Sequence, residues 1–250
     1  MNTSQTLGSA QRTFVYDPEQ RKVTLVVGLG MLGLAVAFPV LYLIDSEATG
    51  VEPLFLAPLV ALIGLGALAH WVYTRSISLT FFEHGFSYKG EGVPYARIRG
   101  IRYKLVHVTG GAATYNKGFL HVRLDDGRRV SPSMQLDKMD EVIGNLIGCA
   151  MPTLVGGIEQ ALGSGQSLTY GPFALHPQGI VCRGQSIPWE RVALSSSGSN
   201  THVQLLNVDP DEGDYEVVHK AKMADLENVD ALEAVAEQRR SSAIHARARG

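Results

Sequence analysis

Hydrophobic and polar residues are segregated along this chain into two apolar runs near the N-terminus and an alternating remainder. From Val23 to Ile44 stand 22 residues without a charge, and from Pro53 to Thr74 another 22 without Asp, Glu, Lys or Arg, His70 being the one histidine. At about 1.5 Å per helical residue each run reaches roughly 33 Å, against a hydrocarbon core of about 30 Å. The pattern predicts two transmembrane helices over residues 23–44 and 53–74. Pro39 and Pro58 lie inside the runs, which membrane helices tolerate, and Tyr42, Trp71 and Tyr73 sit where interfacial aromatics belong.

After Arg75 the chain repeats itself. Phe81-Phe-Glu-His-Gly-Phe-Ser-Tyr-Lys-Gly-Glu-Gly-Val-Pro-Tyr-Ala-Arg-Ile98 aligns without a gap on Leu175-His-Pro-Gln-Gly-Ile-Val-Cys-Arg-Gly-Gln-Ser-Ile-Pro-Trp-Glu-Arg-Val192. Gly85/Gly179, Gly90/Gly184, Pro94/Pro188 and Arg97/Arg191 are identical. Each copy reads as a strand, a glycine turn, a short strand and a second glycine turn. A proline then gives an extended start to a third strand, with an aromatic core anchor beside it. Further alternating strands follow at Gly118–Leu124 and Arg128–Val130, and again at Thr201–Leu206 and Tyr215–Val218.

Each copy then closes on a helical pattern. In the first, Met139, Val142, Ile143, Leu146, Ile147 and Ala150 keep helical spacing, with Asp137 as the expected N-cap and Pro152 expected to kink or restart the helix before Gly163. In the second, Met223, Leu226, Val229, Leu232 and Val235 do the same. Residues 1–22 read as an N-terminal segment without an element, and residues 241–250 as a flexible polar tail.

Charge orients this architecture. Arg12, Arg21 and Lys22 precede the first run and Arg75 follows the second, whereas the connecting Asp45–Glu52 has no Lys or Arg. The positive-inside rule therefore predicts a multi-pass protein with both termini cytoplasmic. The formal net charge of −2 gives no pull towards nucleic acid. Cys149 and Cys182 form no metal-ligand spacing and read as small buried residues in a reducing compartment. Gly28-Leu-Gly30-Met-Leu-Gly33 imitates a dinucleotide fingerprint, but the following helix is apolar all round and no second strand separates it from Asp45. Gly28, Gly30, Gly33, Gly64 and Gly66 read instead as positions for close helix packing.

Strands closed by one helix, twice, with Val93-Pro-Tyr-Ala-Arg-Ile98 and Ile187-Pro-Trp-Glu-Arg-Val192 at corresponding places, resemble the pleckstrin-homology-like (PH-like) fold. The arrangement is similar to bacterial membrane-anchored proteins with tandem PH-like domains, over most of residues 14–240. The resemblance implies an α+β membrane protein of the bacterial inner membrane. Its transmembrane hairpin is followed by PH-like domains over residues 75–165 and 166–240, and no activity is implied.

The densest candidate site is Arg97-Ile-Arg-Gly-Ile-Arg-Tyr-Lys104. A bulge at Gly100 would turn Ile98, Ile101 and Tyr103 inward and Arg97, Arg99, Arg102 and Lys104 outward. Residues 75–165 carry 11 basic and 8 acidic residues, while residues 166–250 carry 8 and 11. With Arg128 and Arg129, this face is expected to meet anionic lipid headgroups or a protein partner. The alternative for such a strand is a charged edge that prevents aggregation. Asp209–Asp214 lacks the spacing of a calcium loop and reads as a hairpin turn. No metal, cofactor or catalytic constellation is expected. The chain is read as a non-enzymatic membrane-anchored scaffold. The alternatives are an accessory subunit of a membrane complex contacting it through the helices and, remotely, a nucleotide-binding enzyme.

Overall fold

The computed structural model describes residues 7–44, 52–110, 113–196 and 202–249. Asp17 and Pro18 start the first long helix. The Asp17 carboxylate accepts the Glu19 N–H at 2.9 Å, and Pro18 occupies the first helical position, where its missing N–H costs nothing. This helix, α1 (Pro18–Ile44), runs antiparallel to α2 (Glu52–Arg75), and both are long and apolar enough to cross a membrane. The acidic segment 45–51 used for the orientation lies outside the described residues.

Residues ahead of α1, read from sequence as an element-free segment, form a strand. β1 (Ala10–Val15) pairs antiparallel with β2 (Ser78–Phe82), Phe14 opposite Leu79 and Val15 opposite Ser78. β3 (Gly85–Tyr88) and β4 (Glu91–Pro94) complete a four-stranded sheet in the order β1-β2-β3-β4. A short 3-10 turn over Tyr95–Arg97 leads to a second sheet of β5 (Ile98–Gly110), β6 (Ala113–Leu124) and β7 (Arg129–Val130), and α3 (Met139–Gly163) closes the first half.

The second half repeats the plan. β8 (Leu168–Tyr170), β9 (Phe173–His176), β10 (Gly179–Cys182) and β11 (Gln185–Pro188) form one sheet. A 3-10 turn over Trp189–Arg191 leads to β12 (Val192–Ser196), β13 (His202–Val208) and β14 (Tyr215–Lys222), and α4 (Val229–Arg247) closes it. β8 opposes β9 as β1 opposes β2, with Tyr170 opposite Phe173 where the first half has Phe14 opposite Leu79. Only Gly171 and Pro172 separate Tyr170 from Phe173, whereas the whole helical hairpin stands between Phe14 and Leu79. The hairpin is thus an insertion within the first antiparallel pair of a repeated fold, and the first half begins upstream of it.

Four local expectations change. Each signature proline ends a strand, and the next aromatic opens the 3-10 turn. Tyr95 and Trp189 are both buried there, the Tyr95 hydroxyl donating to the Phe82 carbonyl at 3.2 Å and the Trp189 indole to that of Pro177 at 2.9 Å. The residue capping α3 is Lys138 in the left-handed region, its carbonyl accepting the Glu141 N–H at 2.9 Å and the Val142 N–H at 3.1 Å, while the Asp137 N–H donates to the Val15 carbonyl at 2.8 Å. α3 runs unbroken through Pro152, which lies on its exposed side together with Gly148, the residue whose carbonyl a proline there leaves without its helical donor. α4 continues to Arg247, through residues read as a tail. Ala243 and Ala246 favour helix there, and the Ser242 hydroxyl donates to the Gln238 carbonyl at 2.9 Å.

α3 is a third helix of membrane-crossing length and hydropathy, yet it packs Met139, Val142, Leu146, Ala150, Ile158 and Leu162 against the sheets. A single contiguous cluster of buried side chains runs from Phe14 in β1 to Ala236 in α4, so the two halves share one core.

Candidate functional site

β5 carries the basic segment, and its register with β6 slips between Ile98 and Gly100, as the alternation demanded. Ile98 and Ile101 are buried and Tyr103 half-buried, while Arg99 and Lys104 are exposed. The cations do not form one patch. Arg97 is held by Asp125 at 2.8 Å and Asp126 at 2.7 Å, and Arg128 by Asp126 and Glu91, both at 2.7 Å. Those two arginines help hold Asp126 down to about 2, the Arg128 side chain contributing most. Arg102 donates to the Ala224 carbonyl, approaches Asp225 at 3.8 Å and lies 5.4 Å from the Phe119 ring centroid. Arg129 stands exposed on the short strand β7.

The glycines divide as well. Gly28 and Gly64 sit at the α1–α2 contact: a Cβ at Gly28 would come within 3.0 Å of Leu68, and one at Gly64 within 3.0 Å of the Gly28 carbonyl. Gly30, Gly33 and Gly66 face open space, with nothing within 4 Å of an added Cβ. The apparent dinucleotide fingerprint therefore lies wholly inside α1 rather than at a strand-to-helix turn.

Two constellations escaped the sequence reading. The first is at the base of the hairpin, where the β3–β4 turn meets α2. Lys89 occupies this turn at φ +50°, followed by Gly90 at φ +80°, a two-residue turn that normally favours Asn, Asp or Gly. Its ammonium donates to the Tyr73 hydroxyl at 2.7 Å and lies 5.2 Å from that ring's centroid. Nearby on α2, the Arg75 guanidinium lies 4.9 Å from the Trp71 ring centroid, and Tyr16 meets His70 edge-on at 6.4 Å. Arg21 and Lys22 occupy the adjacent end of α1.

The second joins the two halves at the β5 bulge. Buried Asn228, at φ +58° ahead of α4, accepts the Ile101 N–H at 2.8 Å and donates to the Arg99 carbonyl at 3.1 Å. Its own N–H donates to the Ile101 carbonyl at 2.7 Å. Beside it Arg123 grips Glu227 through Nε at 3.0 Å and Nη2 at 2.7 Å. This pair presses so closely on the bulge that a Cβ at Gly100 would stand 2.7 Å from a Glu227 oxygen. Further along α4, burial raises the carboxyls of Asp230 and Glu233, Asp230 adding its charge to the effect on Glu233. The Tyr103 hydroxyl reaches Asp230 at 3.4 Å.

Among the described residues no group of three or more His, Cys, Asp or Glu is placed to hold a metal ion. The acidic segment over residues 209–214 closes on itself, Asp209 accepting the N–H groups of Asp211 at 2.9 Å and Glu212 at 3.2 Å. Compared with protein-family models, curated proteins and solved structures, the chain matches none of them.

Proposed function

We propose that this chain is a membrane-anchored, non-enzymatic docking protein of tandem PH-like build, whose first half rests on anionic headgroups of the cytoplasmic leaflet. The observation that carries the reading is the insertion of the apolar hairpin inside the β1–β2 pair. The sheet is rooted in both helices without a linker, so its attitude to a bilayer holding α1 and α2 is fixed. The Lys89 turn, touching Tyr73 near the end of α2, then lies at headgroup level, together with Arg75, Arg21 and Lys22. Anionic lipid attracts each such cation by about 1 kcal/mol, roughly a fivefold preference.

The test uses the full chain in mixed micelles of phosphatidylcholine and phosphatidylglycerol, with retained lipids counted by native mass spectrometry. Lys89→Asn keeps a residue that tolerates the left-handed turn and removes the charge. It is expected to lower phosphatidylglycerol enrichment about fivefold. Arg183→Asn, at the corresponding turn of the second half with φ +51°, is expected to change nothing. Equal losses in both variants, or in neither, would refute the headgroup reading.

A second reading is supported by the outward-facing Gly30, Gly33 and Gly66. As an accessory subunit the chain would offer these positions to helices of a larger membrane complex. Leucine at Gly30 and Gly33 would then release it from the complex while leaving the α1–α2 contact intact.

A further inference from the structure

The junction between the halves leaves a cleft of about 420 Å³, within the usual range for small-molecule sites. Its floor is apolar, built from Leu154, Ile158 and Leu168. Its rim is polar and preformed. The Arg123–Glu227 pair and Asn228 clamped onto the bulge hold their positions through bonds that span the two halves, and the phenol of Tyr170 is hydrogen-bonded to Asn228 within the second half.

The charge at the rim is unbalanced. Arg123 is neutralised by Glu227, but Arg99 donates only to the carbonyls of Ala96 at 3.2 Å and Ile98 at 3.5 Å, and no carboxylate pairs with it among the described residues. One side of the cleft is lined by Gly157, in the interior of α3, where an added Cβ would meet nothing within 4 Å. Glycine there costs the helix about 1 kcal/mol relative to alanine and satisfies no close contact, while it keeps the opening clear.

We infer that this cleft binds a small soluble molecule with one anionic group, a carboxylate or phosphate monoester, attached to a compact apolar body. Arg99 receives the anion. The body lies on the Leu154, Ile158 and Leu168 floor, and Tyr170 donates to the ligand's polar edge. Because the site is made from both halves, its occupant also bridges them.

The experiment is calorimetric titration of the full chain in nanodiscs with phenyl phosphate, which has both features. Inorganic phosphate has only the charge and benzyl alcohol only the apolar body. Phenyl phosphate is expected to bind, and both partial probes at least about tenfold more weakly. Arg99→Gln, an exposed change that leaves the core intact, should weaken phenyl phosphate about tenfold, the loss expected for one charge-assisted hydrogen bond. Gly157→Leu should abolish binding while raising the melting temperature. Gly156→Leu, the neighbouring residue outside the cleft, should give the same thermal gain with binding unchanged.

Failure of phenyl phosphate to bind overturns the inference, as does equal binding of inorganic phosphate or benzyl alcohol. So does unaltered phenyl phosphate affinity in Arg99→Gln or Gly157→Leu.

Discussion

Because β1 lies ahead of the helical hairpin, a fragment cut at the end of the second apolar run loses part of its own first sheet. The perturbation is the fragment Arg75–Gly250, compared with a chain in which residues 17–76 are replaced by Asn-Gly. The second form joins Tyr16 to Ile77, whose backbones already meet at 3.2 Å, through a turn suited to a two-residue hairpin. The fragment discards Leu7, Phe14 and Tyr16, which are 1%, 4% and 3% exposed. At about 1.5–3 kcal/mol for each buried side chain, the loss is about 5–9 kcal/mol as an upper bound, before the exposed edge of β2 is counted. Whole domains are stable by about 5–15 kcal/mol, so the fragment is expected to be unfolded or aggregated at 25 °C and the rejoined chain soluble and cooperative. Urea unfolding followed by circular dichroism decides between them. A fragment with a cooperative transition at the same urea midpoint as the rejoined chain would refute the reasoning, since β1 would then contribute nothing.

Three further outcomes follow from the same geometry. Asn228→Ala should destabilise the rejoined chain by about 2–4 kcal/mol in urea, through an unpaired Ile101 N–H and a side chain forced into the left-handed region. Asn228→Gly, which relieves the second cost, should lose about 1 kcal/mol less. Gly118→Ala should cost on the order of 3 kcal/mol by the same assay, because φ is +148° and a Cβ would stand 1.8 Å from the Lys104 carbonyl oxygen. The pH dependence has two windows of opposite sign. Asp230 and Glu233 are raised by burial, so their contribution is greatest when protonated and is lost as pH rises from about 4 through their folded values. Asp126, lowered to about 2 chiefly by Arg128, contributes above 3.8 and loses that as pH falls towards 2. Denaturation midpoints measured between pH 2 and 7 should therefore flatten in the upper window for Asp230→Asn and in the lower one for Asp126→Asn.

The elements legible in the sequence were those whose signal is local. The absence of charge in the two runs and the two-glycine turns at Gly85/Gly90 and Gly179/Gly184 are local signals, and α2, β2, β3, β9 and β10 appear where these placed them, while α1 starts earlier, at Pro18, and β4 and β11 end at the prolines expected to begin a strand. β1 was missed because Phe14 alone among its six residues is buried and its partner strand lies beyond both helices. Asp17-Pro18, an N-cap followed by the residue best suited to the first helical turn, marked the true start of α1 and was there to be read. The basic segment misled for a related reason. Its neighbours in sequence are cations, but the groups that meet Arg97 and Arg102 are Asp125, Asp126 and Asp225, brought in from β-turns and from the other half. Asn228 and Arg123 gave no local signal, since each matters only against an element from the opposite half.

The insertion of α1 and α2 between β1 and β2 also dictates an order of biogenesis. β1 leaves the ribosome first and must wait, unpaired, until both apolar helices and then β2 have been made. The link that closes this sheet is of long sequence separation in a unit otherwise made of tight hairpins, and such links are slow to form. Once the helices are lodged side by side, the ends of β1 and β2 are delivered to the same point, and the loop-closure entropy that would oppose their pairing has already been removed. Side-by-side placement of the hairpin would thus make closure of the first sheet a local step. Errors at that step would expose the edge of β2 to aggregation before the second half is synthesised.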